Sequence, residues 1–455
     1  MGHLRDSLVN FVSGLGTSRD KFAATQFAQR FGDPQQLMAA YRGDWIARKA
    51  VDIPAFDSIR DWRDWQADDP QIEAIEAEEE RLGIRRKVMQ ALIRARLFGG
   101  SAIVLGTDDP DPAEELDIEA LPKEGLRFIH VLNRFEITVG QLDLNVLSDR
   151  YGQPEYYEVN SGSAGLVRLH PSRVIRFLGN EIPMIDHAPD GWGDSILQAI
   201  DDAVKQASSS AQGIASLIQE AKVDIIKVPQ LMVNLSTDDY RQRLIERFQL
   251  ANVSKGIVNT LILDTEEEWE RVTQNFSALP DVMRIYLMIA SGAADIPATR
   301  MLGQSPTGLS STGESDTRNY YDRIGSMQRT EISPALKPLD EALIRSALGT
   351  RPPEVHYLWA SLWQLTEDQK AEVAHKKAQA LQIHANSGLL PDEALSKGLQ
   401  NQLVEDGVYP GLEAALKDFD DWTPEEEAKR KMTEAAEVEA QFAAGQEART
   451  NEPRQ

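Results

Sequence analysis

The chain has 455 residues, of which 42% are hydrophobic and 26% charged, enough for two or three domains with a real core. Its net charge of −24 excludes a surface that grips DNA through phosphates, which needs lysine and arginine. With no cysteine, disulfides, thiolate metal sites and cysteine nucleophiles are excluded as well.

The N-terminus, MGHLRDSLVNFVSGLG, carries Arg5 and Asp6 and lacks the continuous apolar core of a signal peptide. No apolar run has the length of a membrane span. Residues 1–100 read as mostly helical. Helical spacing of Trp45, Ile46, Ala50 and Ile53 predicts a helix that Pro54 should end or kink. Asp69–Gly100 reads as a helical pair broken near Gly83 and closed by Gly99 and Gly100.

Strand patterns follow in SAIVLG, RFIHVL, FEITVG, EYYEVN, GLVRL and RVIRFLG, up to Gly179. The acidic loop DDPDPAEELDIEAL lacks the register and central glycine of a calcium loop and reads as solvated. Helix and strand together define an α+β fold.

A long helix is predicted from about Trp192, with a narrow stripe at Ile196, Ile200, Val204, Ala207, Ala211, Ile214, Ile218 and Ala221. About 30 helical residues would reach roughly 45 Å. Its small central residues permit close approach of neighbouring backbones, either within a core or beside copies of itself. A compact α/β insertion comes next: strand material in VDIIKVPQLMVNL, a helix from Ser236–Asp239, and strands in GIVNTLILD and EWERVTQNF. A second helix spans about 280–291. The segment from Asp316 to Leu348 is helical, interrupted by Pro334 and Pro338, and VHYLWASLWQL reads as a strand or an aromatic-rich ordered segment. The last 90 or so residues are helical, with capping boxes at Thr366–Gln369 and Thr423–Glu426, and fray after Glu437.

Between the second helix and the 316–348 segment lies LGQSPTGLSSTGESDTRNYYD, Leu302–Asp322. It lacks the lysine of a P-loop, and GLSSTG is one residue too long for a nucleophile elbow. The seven histidines have no zinc-helix spacing. His170-Pro171-Ser172 matches half of the paired His-x-Ser/Thr pattern of cyclic phosphodiesterases, and no second half exists. Arg94, Arg96, Arg134, Arg168, Arg173 and Arg176 are expected to pair with carboxylates of neighbouring elements or subunits. No catalytic residue, metal ligand or cofactor site is expected.

The stretches YRGDWIARKAVDIPAFDSIRDWRDW, ARLFGGSAIVLG, LHPSRVIRFLG, GWGDSILQAIDDAV and ADIPATRMLGQSPTGLSSTGESDTRNYYD, in this order, resemble a tailed-bacteriophage portal protein. The subgroup is one also labelled as the N-terminal part of anti-CBASS-like proteins. The resemblance implies a non-enzymatic subunit of a homo-oligomeric ring, usually of twelve copies, at one capsid vertex of the virion, assembled in the host bacterial cytoplasm. It implies a wing over 1–190, stem helices over 191–222 and 280–294, and a clip over 223–279. A channel loop with the rest of the wing would occupy 295–365, and a helical crown 366–455. Gln304, Ser305, Thr307, Ser310, Ser311, Thr312 and Arg318 would approach the channel. Ile196, Ile200, Val204, Ala207, Ala211, Ile214 and Ile218 would pack the stem. Implied partners are double-stranded DNA passing without sequence-specific binding, the terminase large subunit, a major capsid or scaffolding protein and a head-completion adaptor, with no membrane. The alternatives are a nucleotide- or phosphodiester-processing enzyme involving His170 and the Ser/Thr-rich loop, and another ring-forming virion connector.

Overall fold

The computed structural model describes residues 33–109, 111–162, 165–183, 190–219, 222–227, 238–258, 268–273, 276–303, 313–363 and 367–387, with a few positions beyond. The chain forms two units, residues 1–362 and 363–455.

In the first unit, α1 (Pro34–Gly43) starts at Asp33, whose carboxylate accepts from Gln35 N, with proline in the first turn. Asp44 caps α2 (Trp45–Arg60) by accepting from Ile46 N and Ala47 N. Pro54 does not end α2, which runs through it. Proline cannot donate to the Ala50 carbonyl one turn back. Arg96 supplies the missing donor: its Nη2 donates to Ala50 O at 2.8 Å and its Nε to Val51 O at 3.1 Å.

The next element departs from the sequence reading. Residues Arg63–Gln66 form a strand, β1, where a helical region was expected. Then α3 (Asp69–Leu82) and α4 (Ile84–Phe98) meet at Gly83, left-handed at φ 64°. Gly99, at φ 86°, ends α4, and Gly100 lies against Trp192, where a Cβ would come within 2.4 Å of the indole.

Strand β2 (Gly100–Gly106) is buried on both faces, which accounts for its unbroken apolar run. It sits between β3 (Phe128–Asn133) and β7 (Val174–Leu178), antiparallel to both. One face of this sheet (Ile103, Leu105, Ile129, Ile175, Phe177) packs on α3, α4 and α10 (Ser333–Leu348). The other face (Ala102, Val104, Val174) meets Trp192 and a second antiparallel sheet of β4 (Ile137–Val139), β5 (Tyr157–Asn160) and β6 (Leu166–Leu169).

Helix α5 spans Ile196–Gln219, so Trp192 is a buried core residue ahead of it rather than its start. Strand β8 (Lys222–Lys227), helix α6 (Asp238–Val258) and strand β9 (Glu268–Thr273) follow, with β8 and β9 antiparallel. The first residues of the expected strand GIVNTLILD, Gly256–Val258, continue α6 instead; its remainder lies outside the described residues. Helix α7 (Leu279–Ala293) packs along α5, and the short α8 (Ala298–Leu302) follows.

Helix α9 (Glu314–Met327) passes through a π-turn (Gln328–Ile332) into α10. Neither Pro334 nor Pro338 interrupts it. Pro334 falls in the first turn after the π-turn, and Pro338 removes one ladder bond from a helix anchored by buried Leu336, Leu339, Ala342 and Leu343. Strand β10 (His356–Trp359) pairs antiparallel with β1, Arg63 facing Trp359.

Arg63 fastens this pairing to the helices. Its guanidinium bonds Glu79 on α3 at 2.6 Å and Asp340 on α10, with the rings of Trp62, Trp65 and Tyr357 within 4.6–4.8 Å. Burial alone would lower the Arg63 pKa; the Asp340 and Glu79 carboxylates outweigh it and raise it.

In the second unit, α11 (Glu367–Ser387) begins within the capping box expected at Thr366–Gln369. The other expected C-terminal helices lie almost wholly outside the described residues.

Candidate functional site

The α5–α7 pair has two different ends. At the start of α5, Leu197, Ile200, Val204 and Ala207 are buried, and Ile196 packs beside them on α1, α2 and the end of α7. Ser208 Oγ donates to Asp44, tying α5 to the cap of α2. Further along, Ala211 and Ile214 are half-buried, and Ile218 is 58% exposed with Leu217 beside it at 41%. Ala221 lies outside the described residues. The expected stripe is therefore core over its first half only. On α7, Val282, Ile285, Met288 and Ile289 are 41–57% exposed. The spacing of Val282, Ile285 and Ile289 puts them on one helical face.

The second feature is the frame around the serine- and threonine-rich segment. Gln304, Ser305, Thr307, Ser310, Ser311 and Thr312 lie outside the described residues; Arg318 stands exposed on α9. Both flanks are fixed to α2 through Asp57, which is fully buried. Arg300, on α8 before the segment, donates from Nη2 to Asp57 Oδ1 at 2.8 Å and from Nε to Oδ2 at 3.1 Å. Tyr320, on α9 after it, donates its hydroxyl to Oδ2 at 3.0 Å. Burial first, and then Asp57, push the Tyr320 hydroxyl pKa upward, while the bond to Asp57 raises that of Arg300. Lys49 Nζ donates to Met301 O at 2.6 Å, and Arg60 Nη1 to the Tyr321 hydroxyl at 3.0 Å. No sequence motif marks Asp57; a lone acid among the apolar residues of Ile53–Ile59 was the available signal.

His170 is part of the framework. It caps a 3-10 turn (Pro171–Arg173), its Nδ1 lying 2.8 Å from Ser172 Oγ, which accepts from Leu116 N. Burial lowers its pKa. Of the six arginines, Arg134, Arg168 and Arg173 pair with Asp190, Glu158 and Asp109. Arg94 donates to Val131 O and lies 3.7 Å from Glu136. Arg96 and Arg176 use main-chain carbonyls instead, Arg176 that of Gly191 with its guanidinium 4.6 Å from the Trp192 ring. Among the described residues no group of three or more His, Asp or Glu could hold a metal, and no helix is long and apolar enough to cross a membrane.

The body is mixed sheet and helix, and its helical pair leaves apolar side chains uncovered. The profile of the family described as Phage portal protein matches residues 35–383. The chain belongs to the phage portal protein family. A protein of Caulobacter sp. (strain RHG1) named Anti-CBASS protein Acb1 is 46% identical over 449 residues, covering 94% of this chain and 71% of its own length. One of the same name from Sphingomonas paeninsulae is 39% identical over 422 residues, covering 90% and 67%. An uncharacterized protein of Haemophilus influenzae is 28% identical over 416 residues, covering 90% and 92%. Among solved structures, a chain in the neck of the native gene transfer agent particle, with C12 symmetry, superposes with TM-score 0.46 at 15% identity, over 86% of this chain and 98% of that one. An HK97 family phage portal protein from Corynebacterium diphtheriae gives 0.35 at 10% identity, over 66% and 89%.

Proposed function

We propose that the chain is one subunit of a ring, near twelve copies, at a single capsid vertex, through which double-stranded DNA is packaged and ejected. Family membership supplies the class. The observation that carries the ring is the row Val282, Ile285, Met288 and Ile289 with Leu217 and Ile218, left uncovered on a chain of net charge −24. Exposed apolar side chains on a helical pair of an acidic protein are covered by association, and a head-to-tail contact that closes makes a ring.

In this reading residues 1–190 form the wing, 191–222 and 280–294 the stem, 223–279 the clip, 295–365 the channel loop and remaining wing, and 366–455 the crown. The segment with Gln304, Ser305, Thr307, Ser310, Ser311 and Thr312, and Arg318 behind it, approaches the bore. The acidic charge, repeated in every copy, repels DNA phosphates, so the duplex slides without being held. The terminase large subunit docks during packaging, a head-completion protein afterwards, and the rim meets capsid or scaffolding protein. The enzymatic alternative draws on the half-pattern at His170, on the serine- and threonine-rich segment and on the name of two relatives, of which this chain spans 71% and 67%. His170 stands without the second His-x-Ser/Thr that would complete the paired pattern, and its Nδ1 lies against Ser172.

Native mass measurement with negative-stain imaging of the purified chain tests the proposal. Rings of about twelve copies, formed without cofactor, are expected. A monomer at every concentration, or phosphodiester turnover lost in His170→Ala, would overturn it.

A further inference from the structure

We infer that the tip of the β4–β5 hairpin seats in an apolar hollow on the next copy of this chain. The inference rests on the ring proposed above and assigns one of its contacts.

The tip carries Leu144, Val146 and Leu147 in the open; Leu147 is 94% exposed. It is nonetheless a built structure. Leu142 bridges Pro154, Asp143 N donates to Gln153 O at 2.8 Å, and Gly152 N donates to Asp143 O at 2.7 Å. Asn145 Oδ1 accepts from Leu147 N at 3.1 Å, and Arg150 Nη2 donates to Pro154 O at 3.0 Å. Its conformational entropy has been given up before any partner arrives, which favours tight association. Aliphatic side chains held outward by so many bonds gain nothing in water.

The hollow lies at the other end of the same hairpin. It measures about 680 Å³ and is walled by Met38, Ala39, Phe98 and Phe135, with Arg42 and Glu136 beside them. Phe98 and Phe135 meet edge to face at 5.9 Å. Phe135 precedes β4, whereas the tip follows it, and β4 is held extended by pairing with β5. The tip therefore cannot fold back into its own hollow. A knob and a hollow at opposite ends of one rigid element join different copies head to tail, and such a contact repeats around a ring. Asp149 and Arg150 on the tip can face Arg42 and Glu136 of the neighbour.

The chain has no cysteine, so an engineered pair reports cleanly. Full-length Met38→Cys/Leu147→Cys, oxidised after assembly, is expected to give a ladder of covalent oligomers, with neither single variant doing so. Leu147→Asp, at a solvent-facing position that leaves the fold intact by circular dichroism, is expected to raise the half-assembly concentration about tenfold or more. Rings lacking the ladder, a ladder from Leu147→Cys alone (tip against tip), or unchanged assembly of Leu147→Asp would each overturn the inference and leave the ring standing. A wild-type monomer would remove the ring itself.

Discussion

Arg96 donates to the carbonyl that Pro54 leaves without a partner. Proline at that position deprives Ala50 O of its helical donor, and the guanidinium of α4 replaces it at 2.8 Å while also reaching Val51 O. Burial lowers the Arg96 pKa to about 10, which leaves it protonated at neutral pH. A buried cation thus supports the continuity of α2 through Pro54.

Arg96→Met should cost about 1–3 kcal/mol, the penalty of a buried carbonyl left unsatisfied. In a Pro54→Ala background the restored N–H can serve Ala50 O, and the same change should cost about 1 kcal/mol less. Urea unfolding of the four proteins in this cycle measures the coupling; strict additivity would refute the replacement.

Arg63→Met should be the more damaging change, about 3–5 kcal/mol, because it strands Glu79 and Asp340 together in the interior. Thermal unfolding checks it, with a Glu79→Gln/Asp340→Asn partner variant expected to recover part of the loss.

Asp57→Ala should destabilise by about 2–3 kcal/mol, since charged hydrogen bonds to Arg300 and Tyr320 are lost together. Because one carboxylate holds both flanks, hydrogen exchange should rise in α8 and in the early turns of α9 alike. Faster exchange in only one of them would separate the two anchors.

Glu78 offers a pH test. Its burial pushes the pKa up, but bonds from Arg81 and from Ser346 (2.6 Å to Oε1) outweigh this and hold it below 4.5. The folded state therefore binds its proton more weakly than the unfolded state does. That stabilisation is complete above about pH 4.5 and is lost as pH falls through the folded value. Melting temperatures between pH 3 and 7 should fall less steeply on the acid side for Glu78→Gln than for wild type.

Deleting Gln304–Gly313 should leave rings intact and lower the DNA packaged or retained per particle, measured by nuclease-protected DNA. Failure to assemble would place the segment in the scaffold.

Local chemistry was the legible part. Gly83 and Gly99 act through their own backbones, so the breaks at those positions could be read directly. The short apolar run Ala102–Leu105 gave the buried strand. What stayed hidden depends on distant partners. Nothing near Pro54 announces Arg96, and the four residues of β1 are a strand only because β10 lies beside them. The stripe chosen for α5 took Ile196 where Leu197 is the more deeply buried, one residue around the helix, and overran the point where the core ends. Asp57, Arg300 and Tyr320 meet only once α8 and α9 have packed on α2.

The pairing of β1 with β10 also has a temporal side. Roughly 290 residues of synthesis separate the two, a wait of roughly 15–60 s at 5–20 residues per second. For most of that interval Arg63 lacks Asp340, and throughout it the Tyr357 ring, and one strand edge leaves the ribosome uncovered. A polypeptide cut short before His356 lacks the partner of β1, so this pairing is available only once β10 has been made.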